Sequence, residues 1–231
     1  MKGLLMKKII LASLIAAAAS SSYAAETTTL KVQGKIITAA CTPNLSNGGV
    51  VDFGAISLGE LSATDVTQLG QKNITLSITC DSAAKVAWTT SDDRNDSLNN
   101  IEIVNADAIG GNTAEAAAQY GLGKTAEGVN IGAYAVTVNV PSVTADGAAK
   151  DAISTDDGTV WSKSATGSML NGNGGFIRNM TVAESGSLAP VAFTQASFPL
   201  LVTAAVDNST NLAITDETIL DGQTTISLVY L

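Results

Sequence analysis

The chain contains no histidine. Hydrolysis by a Ser–His–Asp or Cys–His arrangement is therefore excluded, because each needs an imidazole to take the nucleophile's proton. Cysteine is nearly absent too, with only Cys41 and Cys80. Two thiols without histidine fall short of the four ligands a structural zinc takes. Aromatic residues are 4% of the chain and scattered, so no stacking platform for bases or sugars stands out. Trp88 and Trp161 read as core or loop anchors. Charged residues are only 14% and acidic ones dominate, giving a net charge of −9. Nucleic acids and anionic membranes both call for basic patches, so neither is expected as a partner.

What is present begins with a leader. Lys2, Lys7 and Lys8 flank or precede an apolar run from Ile9 to Ala19, followed by small residues through Ala25. That is the three-part pattern of a secretory signal peptide, with Ser22 and Ala24 suited to the peptidase and cleavage expected after Ala24. The run is too short for a bilayer span, which takes roughly 20 residues. No cysteine follows it directly, so no lipid anchor is expected. Loss of three lysines with residues 1–24 would take the net charge from −9 to −12. Residues 25–231 are expected to form one domain, in an oxidising compartment where Cys41 and Cys80 pair. The bond would close a loop of about 40 residues, worth roughly 4 kcal/mol in the chain-entropy model.

The remaining sequence is rich in Thr, Ser, Val, Ile and Gly, and alternation is far commoner than helical periodicity. Strands are expected at Leu30 to Ile36, at Val50 to Phe53 after the Gly48-Gly49 turn, and at Ile74 to Cys80. Others are expected at Val86 to Thr90, Val136 to Val140, Leu200 to Val206 and Thr224 to Leu231. Ser91–Asn100, Gly110–Gly128, Ser142–Gly158 and Asn171–Gly175 read as loops, with one or two helical turns over Ala114 to Gln119. Many short strands with Gly/Asn turns predict an all-β protein, an antiparallel immunoglobulin-like sandwich with loop insertions.

Motifs for chemistry are weak. Gly121-Leu122-Gly123-Lys124-Thr125 ends like a phosphate loop, but Ala118 stands where the earlier glycine belongs, and no strand-to-helix setting surrounds it. A glycine turn is expected. Asp92-Asp93, Asp156-Asp157 and Asp216-Glu217 read as solvated turns, because no third ligand or apolar setting converges on them. No catalytic residue, metal site or small-molecule cofactor is expected, and the chain is not expected to be an enzyme. The Asn73-Ile74-Thr75 and Asn179-Met180-Thr181 sequons carry little weight if the protein is bacterial.

The two ends are more informative. A polar N-terminal stretch leads into the alternating Leu30, Val32 and Gly34 positions. The sequence closes on another alternating strand, with Ile226, Leu228 and Tyr230 on one face and Leu231 last. A terminus normally frays in solvent, so a strand there calls for something to hold it.

With Gly34 through Pro43, a second cysteine at Cys80 and the penultimate Tyr230, the chain resembles the subunits of chaperone–usher pili. It is more specifically similar to the family of periplasmic GltF-like and putative β-fimbriae subunits. Ala40-Cys41-Thr42-Pro43, Val51-Asp52-Phe53-Gly54, Gln68 to Asn73, Leu76 to Cys80, Phe198 to Leu201, Leu220-Asp221-Gly222 and Thr225 to Leu231 carry the likeness. It covers nearly the whole chain after the leader and is weakest over residues 91–185.

The resemblance implies a sandwich lacking its last strand. A periplasmic chaperone lends a strand first, and the N-terminal extension of a neighbouring subunit then replaces it at an outer-membrane usher. Leu30, Val32 and Gly34 would be donor positions. Ile226, Leu228 and Tyr230 would form the acceptor strand, and the Leu231 carboxylate would meet basic chaperone residues. The product would be an adhesive cell-surface fimbrium reached through the periplasm. Two features depart from the pattern. The extension before Cys41, Ala25 to Ala40, is only sixteen residues, and Thr218 stands where pilins carry a glycine before the last strand. The alternative is a soluble periplasmic accessory or binding protein of the GltF type that does not polymerise.

Overall fold

A computed structural model of the chain describes residues 27–35 and 39–231. The expected leader, residues 1–24, lies outside the described residues, as does Ile36. The chain divides into two units, residues 1–37 and 38–231. In the first, residues 27–35 form no strand, and Leu30 and Val32 are 87% and 89% exposed. The strand expected from Leu30 onward is therefore not seen over its described part. Alternation alone does not make a strand, because a lone extended segment has no ladder to satisfy its backbone.

The described residues of the second unit form twelve strands. They are β1 (Cys41–Leu45), β2 (Thr67–Ala84), β3 (Val86–Asp92), β4 (Gln119–Gly121), β5 (Gly132–Val138) and β6 (Thr144–Ala145), then β7 (Ala148–Ala149), β8 (Asp151–Thr155), β9 (Ser162–Lys163), β10 (Asn179–Ala183), β11 (Phe193–Val206) and β12 (Thr224–Tyr230). All pairings are antiparallel. One sheet runs β1-β2-β11-β5-β4, with β6 and β7 branching from β11; the other runs β12-β3-β10-β8-β9. The chain is thus an all-β antiparallel sandwich, as its alternation predicts.

The long pair β2 and β11 forms the spine of the first sheet. Their register runs from Phe193↔Ala84 to Val206↔Thr67, with irregularities at Phe193/Gln195 and Ala204/Ala205. Ile74, Leu76, Ile78 and Cys80 alternate inward, so a period of two buries one face of β2. They meet Val86, Trp88, Met180 and Val182 from the second sheet in one core. Trp88 stands edge-on to Phe198, with ring centroids 5.5 Å apart, and joins the two layers. The reading of Trp88 as a core anchor holds; Trp161 is half-buried.

Some expectations fail locally. Val50 to Phe53 is not a strand. Asn47, Gly48 and Gly49 all take positive φ, and the Gly54 N–H then donates to the Asp52 carboxylate at 2.7 Å. Such an Asx turn satisfies the backbone locally in place of a ladder. Ser142–Gly158 is not a bare loop, because it carries β6, β7 and β8. The helical turns expected near Ala114 reduce to one 3-10 turn at Ala116–Ala118.

Candidate functional site

Cys41 and Cys80 are bonded, and they face each other in the β1–β2 register. The bond pins β1, five residues long, to the second half of β2. Where β1 starts, the Cys41 N–H donates to the Tyr230 hydroxyl at 2.8 Å, tying the first strand to the last across the two sheets. Beyond Leu45 the chain leaves the sheet.

There the sandwich holds an apolar groove of about 1100 Å³. Ile74, Val136, Leu200, Val202 and Val206 contribute to it from the first sheet, and Thr90, Thr224 and Ile226 from the second. Two irregular walls flank it, one drawn from Gly49 to Leu61 and the other from Leu212 to Gly222. The second wall is anchored. The Asp221 N–H donates to the Leu122 carbonyl at 3.0 Å, and Arg94 pairs with the Asp221 carboxylate. Tyrosines brace the place where β12 begins. Tyr134 stacks on Tyr120, its hydroxyl bonds Thr224 at 2.6 Å, and the Tyr120 hydroxyl bonds Thr90 at 2.8 Å. Burial pushes both phenols well above their ordinary range, so they stay neutral.

Beside the groove, β12 is an edge strand whose ladder partner among the described residues is β3 alone. The Leu231 N–H donates to the Lys85 carbonyl and the Asp93 N–H to the Gln223 carbonyl. Antiparallel ladders alternate, so odd-numbered residues turn their backbone groups to β3. Thr224, Ile226, Leu228 and Tyr230 turn theirs to the open edge. Ile226 and Leu228 also pack against the core with their side chains. Tyr230 and Leu231 are half exposed. The four acceptor positions expected from the sequence thus come together at one edge. The donor positions Leu30, Val32 and Gly34 belong to the first unit. Both walls went unforeseen, because their apolar residues carry no periodicity.

The weak motifs resolve as structure. Gly121 belongs to β4, Gly123 has a φ of +97°, and Lys124 pairs with Asp96, so the phosphate-loop likeness is a turn. Asp156 pairs with Arg178, and Asp157 accepts the Thr159 and Val160 N–H groups, which hold its carboxyl well below the usual range. Asp92 departs from expectation: it is buried, accepting the Gly121 and Arg94 N–H groups at 2.9 Å each. Burial raises its pKa. Among the described residues no three His, Cys, Asp or Glu side chains converge as metal ligands.

Fold and groove define a class, a two-sheet antiparallel sandwich with an open apolar side next to an edge strand. Residues 30–135 match the family described as a protein of unknown function (DUF1120). The chain is 34% identical over 222 residues to "Uncharacterized protein YhcF" of Escherichia coli K12, covering 89% of this chain and 91% of that one. It is 35% identical over 233 residues to "Protein GltF" of the same organism, covering 88% of each. The chain belongs to this family. Neither name speaks of a fibre or a chaperone.

Proposed function

We propose that the chain is a structural subunit of a bacterial surface fibre, assembled by adding a β-strand to β12. The observation that carries this reading is the coincidence of two deficits at one place. Among the described residues the groove lacks the side chains that would fill it, and the adjoining edge lacks a ladder partner for Ile226, Leu228 and Tyr230. An inserted strand supplies both at once, with backbone bonds giving affinity and alternate side chains filling the groove. On this reading the chain is exported to the periplasm and meets a chaperone and an usher there. It reaches the surface as part of a fimbrium, and it catalyses nothing.

Deleting Ala25 to Val32 tests the reading. The variant is expected to fold and to leave the periplasm only as a monomer or a chaperone complex, while the full chain forms higher assemblies. A full chain that is a stable free monomer, and stays so unchanged after the deletion, sinks the proposal. It would favour the second reading, a soluble periplasmic protein of the GltF type, which the short stretch before Cys41 supports.

A further inference from the structure

We propose that Asp107 anchors a calcium site beneath residues 98–114, which lie as a strap across the outer face of the first sheet; the proposal stands apart from the fibre reading. Ile103 and Ala106 of the strap pack on Ala133, Ala135 and Ala205 of β5 and β11. Gln68 and Gln71 of β2 donate their side-chain amides to the Glu102 and Asn105 carbonyls. Gln71 also reaches the Asp107 carbonyl at 3.4 Å.

Under this cover sits an unbalanced charge. Asp107 is 3% exposed. Its Oδ2 accepts the Asn112 amide, while its Oδ1 is buried with no hydrogen-bond partner. Among the described residues no lysine or arginine pairs with it. A buried carboxylate is ordinarily paired or bound to a metal, because a lone charge taken out of water is costly.

Further oxygens collect on the same stretch of the sheet. Thr203 stands opposite Gln71 in the β2–β11 register. Its hydroxyl is likewise buried and unpartnered, and so is that of Thr137, its diagonal neighbour on β5. The Asn105 carbonyl, which takes the Gln71 amide, keeps a second lone pair. A carboxylate, hydroxyls and a carbonyl are the hard oxygen donors that calcium takes, with water completing its six to eight ligands. Zinc favours nitrogen and sulfur, and magnesium holds to a tight octahedron and gives up its water reluctantly. A single carboxylate makes the site weak, with a dissociation constant of roughly 1 mM, as in extracellular calcium modules. Calcium there joins strap to sheet and balances the buried charge.

The test is calorimetric melting of the purified chain after stripping with EDTA. Calcium chloride at about 10 mM is expected to raise the melting temperature by about 3–6 °C, and magnesium chloride at equal ionic strength by clearly less. Hydrogen exchange at Ala106 and Ala114, whose N–H groups bond the Asn112 and Ile103 carbonyls within the strap, is expected to slow with calcium. Asp107→Asn is expected to abolish both responses, and Thr203→Val to weaken calcium binding several-fold. The groove-wall pair Asp216→Asn and Glu217→Gln is expected to keep the full response. A melt that calcium leaves unmoved, or moves no more than magnesium does, overturns the proposal and leaves water to complete Asp107. A calcium shift that survives in Asp107→Asn overturns it as well. Should Asp107→Asn fail to fold, the titration of the unaltered chain beside Thr203→Val decides, and equal calcium affinity in those two overturns the site.

Discussion

Replacing both Cys41 and Cys80 by alanine is the perturbation whose size follows most directly from the fold. The bond spans a sequence separation of 39. Freeing that loop returns entropy to the unfolded chain worth about 4 kcal/mol. For a chain of this size each kcal/mol moves the melting temperature by about 2–4 °C, so a fall of about 8–16 °C is expected. The native ladder itself is short, since β1 contributes five residue pairs to β2. At the start of β1, Asp81 accepts the Ala40 N–H and donates its own N–H to the Ala40 carbonyl, and Tyr230 accepts the Cys41 N–H. The assay is calorimetry on the oxidised chain, the reduced chain and the double alanine variant. The two thiol-altered samples should melt together, well below the oxidised one. Hydrogen exchange at the Cys41 amide should rise in both. Coincident melts of oxidised and reduced chain refute the reasoning, because the loop would then cost the unfolded state nothing.

Gly167→Ala is expected to lower stability by about 3 kcal/mol or more, since a left-handed alanine costs roughly 1–2 kcal/mol and a backbone clash adds to it. Gly167 has a φ of +73°, and a Cβ there would lie 2.0 Å from the Val138 carbonyl oxygen. Gly158 has a φ of +76° with open space around it, so Gly158→Ala should show the conformational part alone, and equal losses in the two variants refute the packing argument. Asp92 gives a pH signature. Burial raises its folded pKa above the ordinary 3.8, so as pH falls through that raised value the native state takes up its proton first and gains stability. Asp96, Asp146, Asp151 and Asp157, whose pKa values are lowered by hydrogen bonds and lysine partners, work the other way and lose their contribution below 3.8. Chemical denaturation should therefore show wild type gaining on Asp92→Asn between neutral pH and about 4, and a flat difference rejects the assignment.

The sandwich was legible where one face of a strand is buried and the other is not. Ile74 to Cys80 and Thr224 to Tyr230 alternate because each has one side on the core, and the sequence pattern follows. Residues 142–158 failed because their strands are built of small residues. Ala145, Ala152 and Ser154 are buried next to Gly147 and Gly158, and composition alone cannot tell such a segment from a turn. Val50 to Phe53 failed in the opposite sense. It has strand residues, but the left-handed turn at Asn47–Gly49 and the Asp52 cap send it out of the sheet to form a groove wall. Asp92 was misjudged because an isolated Asp-Asp pair reads the same whether it caps a solvated turn or accepts two buried N–H groups. The groove was invisible for a related reason. Its floor is drawn from β2, β5, β11 and β12, and each contributor looks like ordinary core.

That likeness to core is also what gives the groove its meaning. An apolar floor of Ile74, Val136, Leu200 and Val202 is what β-sandwiches ordinarily cover with a further strand. Here the two segments flanking that floor, from Gly49 to Leu61 and from Leu212 to Gly222, offer no ladder to β12 among the described residues. A bare edge backed by an apolar trough is an aggregation hazard, and sandwiches usually blunt such edges with charge, proline or a bulge. β12 carries none of the first two: Thr224 to Tyr230 holds no charged residue and no proline, and its register with β3 runs without a shift. The acidic side chains of the groove lining, Asp52, Asp216 and Glu217, stand on the walls beside the edge instead. An edge meant to stay empty would be protected in the opposite way, with charge on the strand itself.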